Sequence, residues 1–203
     1  MKRLITAGAL ALMLVGCSAS PKDAIKLVAN TIKNDVKPLI VLGALETKEE
    51  EFAMLVDDIL YKAEENFEAA EALIPQAVTS LTEIKNTISK QTKELALSEK
   101  EIKKVEKMKS ELEEADSTAS VVMLEGFLDY KNYLKIFLES KVEGYETYEG
   151  FLTQIKGDMG FKDIEVLIAS LNKSLESIGK AHENYKMSVE SFSVFLNELN
   201  ESK

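Results

Sequence analysis

The sequence predicts an all-α protein: an elongated antiparallel bundle of four helices that follows a cleaved signal peptide. Two observations lead to this prediction. Apolar residues recur at alternating spacings of three and four along three long segments, which is the periodicity of helices packed in a bundle. The 203-residue chain has 30% charged residues but only three prolines and nine glycines, a composition typical of helical and not of disordered chains.

The first sixteen residues have the features of a signal peptide. Lys2 and Arg3 give a positive start, and residues 4–15 form an apolar run. This run is too short for a transmembrane helix, which needs about 20 residues, but it has the length of a signal-peptide core. We therefore expect residues 1–16 to be removed from the mature chain.

The apolar run ends in Leu14-Val15-Gly16-Cys17, which resembles the lipobox read by lipoprotein signal peptidase. The resemblance implies cleavage before Cys17 and transfer of diacylglycerol to its thiol. The alternative is an ordinary signal peptide with an incidental cysteine, but Cys17 is the only cysteine and cannot be explained by a disulfide. We expect a lipid anchor at Cys17 on the extracytoplasmic face of the cell membrane, a tether at 17–21 and one helical domain at 22–203.

Three long segments each hold two interleaved rows of apolar residues that recur every seven positions. They span positions 67–112, 127–155 and 164–199, and each predicts a helix that packs against others. The segment at 22–74 has a weaker stripe, interrupted by Pro38 and Gly43, so we expect an irregular first helix. Pro75 must end or kink a helix at or before Ile74. Which of these it does, and whether the bundle has three helices instead of four, stay open here.

Two turn signals separate the long helices. Asp116-Ser117-Thr118 offers a capping residue before the apolar run resumes at Val121. Gly157-Asp158-Met159-Gly160 separates the third helix from the last, and Asp163 favours the new helix start. Connections this short predict that consecutive helices are antiparallel neighbours.

The charge balance argues against nucleic acid as a partner. The formal charge is −10, and removal of Lys2 and Arg3 makes it −12 for the mature chain. Arg3 is the only arginine, so the mature chain lacks the side chain that recognises phosphate and guanine with two hydrogen bonds. Tryptophan is absent as well, which removes the usual platform for stacking on sugars, although tyrosine can do some of that work.

The residues predict no catalytic centre, metal site or cofactor. His182 is the only histidine, and a di-iron bundle site would need Glu-x-x-His motifs on two helices, whereas Gly179 stands three positions before it. We therefore interpret His182 as a histidine at the edge of the core. Ser-x-x-Lys occurs at Ser170 and Ser177, but the Ser-Asp-Asn and Lys-Thr-Gly partners of that nucleophile motif are missing.

Polar residues interrupt the apolar rows at similar levels of adjacent helices. Gln91 and Ser98 interrupt the second helix, and Lys141 and Gly144 interrupt the third. Reflection about the two turns brings Gln91 opposite about position 142 and Lys141 opposite about position 177, near His182. We predict a core polar layer of Gln91, Lys141 and His182, in which Gln91 and Lys141 lie side by side and fix the register. Lys141 is expected to extend its ammonium to solvent.

Two surface features are candidates for binding. Tyr133 and Tyr145 lie off the apolar rows and are predicted to be exposed aromatic residues that contact a partner. Lysines at 100, 103, 104, 107 and 109 form a basic patch interleaved with glutamates. The patch either contacts anionic wall polymers or lipid headgroups, or is used in ion pairs along its own helix; the second interpretation is favoured.

Three further stretches carry a family resemblance. They are 45–60, which opens with Leu45-Glu46-Thr47-Lys48-Glu49; Gly144-Tyr145-Glu146-Thr147-Tyr148-Glu149; and 168–176 with 181–185. With the lipobox, they resemble the cell-wall-binding lipoprotein family of Gram-positive bacteria, whose members pair a lipid anchor with long antiparallel helices. The chain departs from that family at Tyr61-Lys62-Ala63-Glu64, where a glycine-containing helix break is expected.

The resemblance and the missing catalytic residues imply a non-enzymatic protein of the cell envelope. We expect a lipid-anchored structural or binding module that contacts cell-wall polymers. The alternative is an accessory lipoprotein of a membrane protein complex, which binds an envelope protein through one helix face. The sequence does not distinguish these partners, and it leaves the oligomeric state open.

Overall fold

A computed structural model of the protein describes residues 19–155 and 161–201. Over these residues the chain is all α, with no strand, which confirms the predicted fold class of a helical bundle. The predicted signal peptide, Cys17 and the loop at 157–160 lie outside the described residues. The helices described are α1 (Pro21–Gly43), α2 (Glu46–Glu65), α3 (Phe67–Glu71), α4 (Ile74–Leu95), α5 (Glu99–Glu114), α6 (Thr118–Gln154) and α7 (Phe161–Glu201).

The chain forms two compact units. Unit 1 comprises the described residues of 1–33, 97–129 and 191–203, and unit 2 comprises those of 34–96 and 130–190. The helices α1, α6 and α7 each contribute residues to both units. The sequence predicts one domain over 22–203, and that boundary stays a prediction.

The first part of the bundle is irregular, as predicted, because it consists of α1, α2 and α3 in succession. Gly43 ends α1 as expected, but Pro38 does not interrupt that helix and lies inside it. Proline removes one backbone hydrogen bond, which costs about 3 kcal/mol in a helix interior; the buried position of Pro38 contributes packing that offsets the loss. Pro75 occupies the first turn of α4, where a missing N–H costs little, so it begins a helix instead of kinking one.

The predicted second helix is wrong in one respect, because it is broken into α4 and α5. Ala96 is extended and ends α4, and Ser98 caps α5. The Ser98 hydroxyl accepts from the Glu101 backbone, while the Glu101 carboxylate accepts from the Ser98 backbone at 2.8 Å, which is a complete capping box. The polar residue that seemed to interrupt an apolar row is therefore the start of a new helix.

The predicted turn at Asp116-Ser117 is confirmed by its hydrogen bonds. Asp116 has a positive φ of 55°, Ser117 N–H donates to the Leu112 carbonyl at 2.9 Å, and Asp116 N–H donates to Glu113 at 3.1 Å. These are the two bonds of a Schellman helix end. Thr118 then begins α6, and the Ser117 carbonyl accepts from the backbone N–H groups of Ser120 and Val121 at 3.0 and 3.2 Å, respectively.

Each unit has an ion pair that joins α6 to a preceding helix. In unit 1, Lys109 on α5 pairs with Glu125 on α6 at 2.8 Å, eight positions either side of Ser117, so these two helices are antiparallel about the turn, as predicted. In unit 2, Lys85 on α4 pairs with Glu149 on α6.

The first helices of unit 2 run parallel to α6, as an up-and-down order of helices requires. Asp35 pairs with Lys131, and Glu49 pairs with Tyr145. In each pair the two partners are 96 residues apart, and a constant offset means that the helices run in the same direction. The last helix is antiparallel to α6, since the contacts of Gly144 with Ile178 and of Phe137 with His182 follow opposite residue order along the two helices. A Cβ on Gly144 would come within 2.3 Å of Ile178 Cδ1, so glycine permits this close approach.

A valine at position 116 tests the left-handed helix end. L-residues pay about 1–2 kcal/mol in this conformation, least for Asp and Asn and most for β-branched side chains. We expect Asp116→Val to lower the free energy of unfolding by about 1–2 kcal/mol, or the melting temperature by about 2–8 °C. The measurement is thermal and urea denaturation followed by circular dichroism.

Two matched variants at the same position complete the test. Asp116→Gly should be as stable as the parent or more so, and Asp116→Asn should lie within about 0.5 kcal/mol of it. Equal stability of the valine and glycine variants would mean that residue 116 is not held at positive φ.

Candidate functional site

The polar centre of unit 2 is a buried ion pair between α1 and α6. Lys131 Nζ donates to both carboxylate oxygens of Asp35, at 2.9 and 2.8 Å. The side chains are only 4% and 3% exposed for Asp35 and Lys131, respectively. Removal of two charges from water is costly unless they are paired with good geometry, and contact with both carboxylate oxygens provides that geometry.

The charge of Asp35 also acts on two tyrosines of unit 2. Burial raises the pKa of Tyr130 well above its usual range, and the charge of Asp35 is among the smaller contributions. Burial also raises the pKa of Tyr185, with the Asp35 carboxylate as the second cause. The two rings lie 6.2 Å apart, and Tyr185 stacks on Phe137 at 5.6 Å.

The sequence positions of Asp35 and Lys131 indicate this pair, because each charge is seven residues from a buried apolar residue. Asp35 follows the buried Val28 by seven positions, and Lys131 lies midway between the buried Leu124 and Leu138, seven positions from each. Single charges of opposite sign at heptad positions of two segments indicate a buried pair. No motif search detects it, because its members are 96 residues apart.

A second polar cluster, termed the Glu49 cluster, consists of Glu49, Phe52, Lys141, Tyr145 and Tyr148. Glu49 Oε1 accepts from Lys141 Nζ at 2.5 Å and from the Tyr145 hydroxyl at 2.7 Å. The side chains of Glu49 and Lys141 are 22% and 21% exposed. One carboxylate oxygen on α2 thus holds two donors from adjacent turns of α6.

Aromatic rings enclose the Glu49 cluster. Phe52 meets Tyr145 and Tyr148 edge to face, with centroids 6.4 and 5.8 Å away, and Lys141 Nζ lies 6.0 Å from the Tyr145 centroid. Burial raises the pKa of Tyr145 well above its usual range, and the Glu49 carboxylate that accepts its hydrogen bond raises it further. The tyrosine therefore acts as a hydrogen-bond donor at neutral pH.

The predicted core polar layer is only partly present. Gln91 is buried, and the Lys85–Glu149 pair brings it level with about position 143 when counted along antiparallel helices. Lys141 does not extend its ammonium to solvent, because Glu49 on α2 lies within hydrogen-bond distance. His182 is exposed and lies outside the core, with its ring 5.0 Å from that of Phe137. The proximity of Gln91 and Lys141 stays a prediction.

The two predicted binding tyrosines differ in their surroundings. Tyr145 is not an exposed aromatic residue: it is half-buried and its hydroxyl is bound to Glu49. The packing of α2 against α6, which apolar periodicity does not reveal, explains the difference. Tyr133 is partly exposed, and its hydroxyl makes no hydrogen bond to any residue that the structure describes. Of these two described tyrosines, Tyr133 is thus the one whose hydroxyl is available for a partner.

In unit 2, one of the two apolar rows of α7 is buried or half-buried and the other is exposed. In unit 2, Leu171 is buried and Ile178 is half-buried, whereas Ile168 and Leu175 from the second row are exposed by 41% and 46%. The periodicity of the sequence predicts that both rows pack in the bundle, and for Ile168 and Leu175 this prediction is wrong. The exposed row leaves an apolar face that adjoins His182 on the same helix.

The basic patch on α5 divides into two parts. Lys107 pairs with Glu111 at 3.5 Å, and Lys109 lies between Glu113 and Glu125, in agreement with the favoured interpretation of ion pairs along the helix. The hydrogen bond from Glu125 is the main reason that the pKa of Lys109 is raised. The lysines at 100, 103 and 104 form no ion pair with a described residue.

No group of three or more His, Cys, Asp or Glu side chains among the described residues is placed to hold a metal ion. None of the helices in that part of the chain is long and apolar enough to cross a membrane. No protein-family model, curated protein or solved structure is significantly similar to the chain. The resemblance to the cell-wall-binding lipoproteins stays a prediction.

Removal of one partner from the buried pair should be far more damaging than removal of an exposed ion. We expect Asp35→Leu or Lys131→Met to lower the free energy of unfolding by about 3–5 kcal/mol, because each leaves a charge buried without its partner. The double variant Asp35→Leu with Lys131→Met should recover most of that loss. Urea denaturation of the four chains gives the double-mutant cycle.

The matched control for this cycle is the pair Glu176–Lys180, whose side chains are 66% and 74% exposed. Lys180→Met should change the free energy of unfolding by less than about 1 kcal/mol. Similar losses for Lys131→Met and Lys180→Met would show that the Asp35–Lys131 pair is not desolvated.

Tyr145 should make folding sensitive to alkali. Its pKa in the folded chain lies above about 10, the value for an unfolded chain, so the folded state keeps the phenol proton longer. The stability this provides is present below about pH 10 and is lost as pH rises through the folded pKa. We expect Tyr145→Phe to reduce the slope of stability against pH, by up to about 1.4 kcal/mol per pH unit. Urea denaturation between about pH 9 and 11 measures it.

The control is Glu49→Gln, which retains the ionisable phenol and its burial. This variant should be less stable overall but should keep most of the slope, because burial is the larger cause of the shift. An unchanged slope in Tyr145→Phe would contradict the assignment.

Proposed function

We propose that the chain is a membrane-anchored lipoprotein whose helical bundle acts as a non-catalytic structural or binding module at the cell envelope and contacts cell-wall polymers. The lipid is carried by Cys17, the bundle faces the extracytoplasmic side, and the wall polymer is the partner. The observation that supports this most is the use of the ionisable core residues: they pair with one another and stabilise the contacts between helices.

The start of the bundle supports the anchor. Pro21 begins α1, so only three residues separate it from Cys17. Ser20 is hydrogen-bonded to the first turn of α1: its hydroxyl and backbone N–H donate to Asp23 Oδ2 at 2.6 and 3.2 Å, respectively. The Ala19 N–H donates to Glu111 at 2.9 Å, which joins the tether to α5 in unit 1. A folded domain that begins this close to a lipidated cysteine would lie near the membrane surface.

The polar clusters support a non-catalytic role. The carboxylates of both clusters accept hydrogen bonds from another helix: Glu49 Oε1 accepts from Lys141 and Tyr145, and both oxygens of Asp35 accept from Lys131. Every fully buried side-chain nitrogen or oxygen of the described residues has a hydrogen-bond partner. These groups therefore serve the fold.

Tyr133 is the residue we propose as a polymer contact. It is partly exposed on α6 and its phenol is available to donate or accept a hydrogen bond. A tyrosine ring can stack on sugars and thus partly substitutes for the tryptophan that the chain lacks.

Replacement of Cys17 tests the anchor. We expect Cys17→Ala to abolish lipid attachment, to leave the uncleaved precursor and to release the protein from the membrane fraction on alkaline washing. Mass spectrometry of the N-terminus and labelling with an alkyne fatty acid measure this, and Ser18→Ala is the matched control because it retains the thiol. A lipid attached to any other residue, or full retention of an unlipidated Cys17→Ala chain, would refute the proposal.

A pulldown from intact envelopes tests the partner. We expect peptidoglycan or teichoic acid from the envelope to be retained by the parent chain and retained about fivefold less by Tyr133→Ala, a change of about 1 kcal/mol. Tyr61→Ala is the matched control, since Tyr61 is an exposed tyrosine on α2. Recovery of one stoichiometric protein without polymer would favour the alternative function.

The alternative function is an accessory lipoprotein of a membrane protein complex. The observation that favours it is the exposed apolar row of α7, because Ile168 and Leu175 form a face suited to another helix. A photo-crosslinking residue at position 175 should then capture a single partner from membranes. The same residue at the charged position 176 serves as the control.

A further inference from the structure

A pocket of about 180 Å³ lies within unit 1, where α1, α5 and α6 meet. Its inner walls are apolar: Val105 and Phe127 are fully buried, and Leu27 and Leu97 are half-buried. An apolar cavity of about 150 Å³ is large enough for benzene. The size therefore suits one ring or a short alkyl chain, and it is below the range of about 300–1,000 Å³ of sites for larger ligands.

The break between α4 and α5 contributes one side of the pocket. Ala96 leaves the helical conformation with ψ of 138°, and Ser98 restarts the helix as a cap. Leu97, which lines the pocket, therefore lies on a non-helical link. The capping box that fixes this break also fixes one wall of the pocket.

The polar rim has two side chains that lack partners among the described residues. Lys104 forms no ion pair and Asn30 no side-chain hydrogen bond there. The other two rim residues are engaged: the Thr31 hydroxyl donates to the Leu27 carbonyl at 3.1 Å, and Glu101 Oε2 accepts from the Ser98 hydroxyl at 2.6 Å. The unengaged groups on the rim are thus an ammonium and a carboxamide.

We infer that this pocket binds a small carboxylate with a compact apolar body, such as an aryl acetate or a short fatty acid. The ring or chain would lie against Val105, Phe127 and Leu27. The carboxylate would accept from Lys104 Nζ and the Asn30 amide, as charge-assisted hydrogen bonds prefer. This site goes beyond the proposed envelope function and does not depend on it.

The chemistry of the rim distinguishes this ligand from its close analogues. A neutral amide of the same shape would lose the attraction of Lys104, and an amine would be repelled by it. The carboxylate of Glu101 would favour an amine, but its bonds to the Ser98 cap occupy one of its oxygens. The net negative charge of the chain weakens anion binding mainly at low salt, because exposed charges beyond about 10 Å are screened at 0.1 M salt.

Titration of the full-length chain with phenylacetate, phenylacetamide and phenethylamine tests the inference. We expect saturable binding of phenylacetate with a Kd of about 1 mM or tighter. The amide should bind at least about fivefold more weakly, and the amine more weakly still. Saturation-transfer NMR gives the affinities, and amide shifts of labelled protein show whether the changes concentrate at residues 27–31 and 97–105.

Three variants separate the pocket from general adsorption. Lys104→Gln should weaken phenylacetate at least about fivefold without weakening the amide, whereas Lys103→Gln, an exposed neighbour outside the pocket, should bind like the parent. Leu97→Trp should fill the cavity and abolish binding of every probe while the helical spectrum is kept. Absence of saturable phenylacetate binding, equal affinities of the two lysine variants, or tighter binding of the amine would each overturn the inference.

Discussion

The burial of two opposite charges between α1 and α6 constrains unit 2 more than any apolar contact does. An apolar side chain can slide by one turn and find another apolar neighbour, whereas the same slip would separate the opposite charges of Asp35 and Lys131 inside the bundle. The same offset of 96 residues recurs between Glu49 and Tyr145, so a second polar contact agrees with the register that the first one sets. Repetition of one offset along two successive helices fixes their alignment with α6 and leaves alternative registers with unpaired buried charges.

Much of the fold could be predicted because its determinants are local and periodic. The heptad rows predicted the long helices. The turn residues at Asp116 predicted the reversal of chain direction between α5 and α6, about which Lys109 and Glu125 are symmetric. The irregular first part of the bundle was predicted from the weak apolar periodicity of residues 22–74 and from Gly43. The break at Ser98 was equally local, since Ser98 and Glu101 form a capping box, but a polar residue in an apolar row can be a cap or a core defect. Only its backbone conformation distinguishes the two.

The polar contacts could not be predicted in the same way because they depend on pairings between distant helices. Reflection about the turns aligned Lys141 with neighbours on α4 and α7, yet its ammonium binds Glu49 on α2, whose position relative to α6 follows from no turn of known length. His182 shows the same limit: its heptad position predicts burial, but α7 presents one apolar row inward and leaves the other outward. A period of seven specifies a stripe on a helix, not how wide an arc its neighbours cover.

The distribution of engaged and unengaged groups bears on where recognition can occur. Charges inside unit 2 are neutralised by one another, and the phenol of Tyr145 is held by Glu49, so a ligand that used them would first have to break contacts that stabilise the helices. Tyr133 and the outward row of α7 bear no such cost, and in unit 1 neither do Lys104 and Asn30 at the pocket rim. Each of these three surfaces has a different chemistry: an aromatic hydroxyl, an apolar helix face, and a cation beside an apolar cavity. The proposed polymer contact, the alternative helix contact and the proposed carboxylate site therefore use different residues, and a substitution in one of them should leave the other two intact.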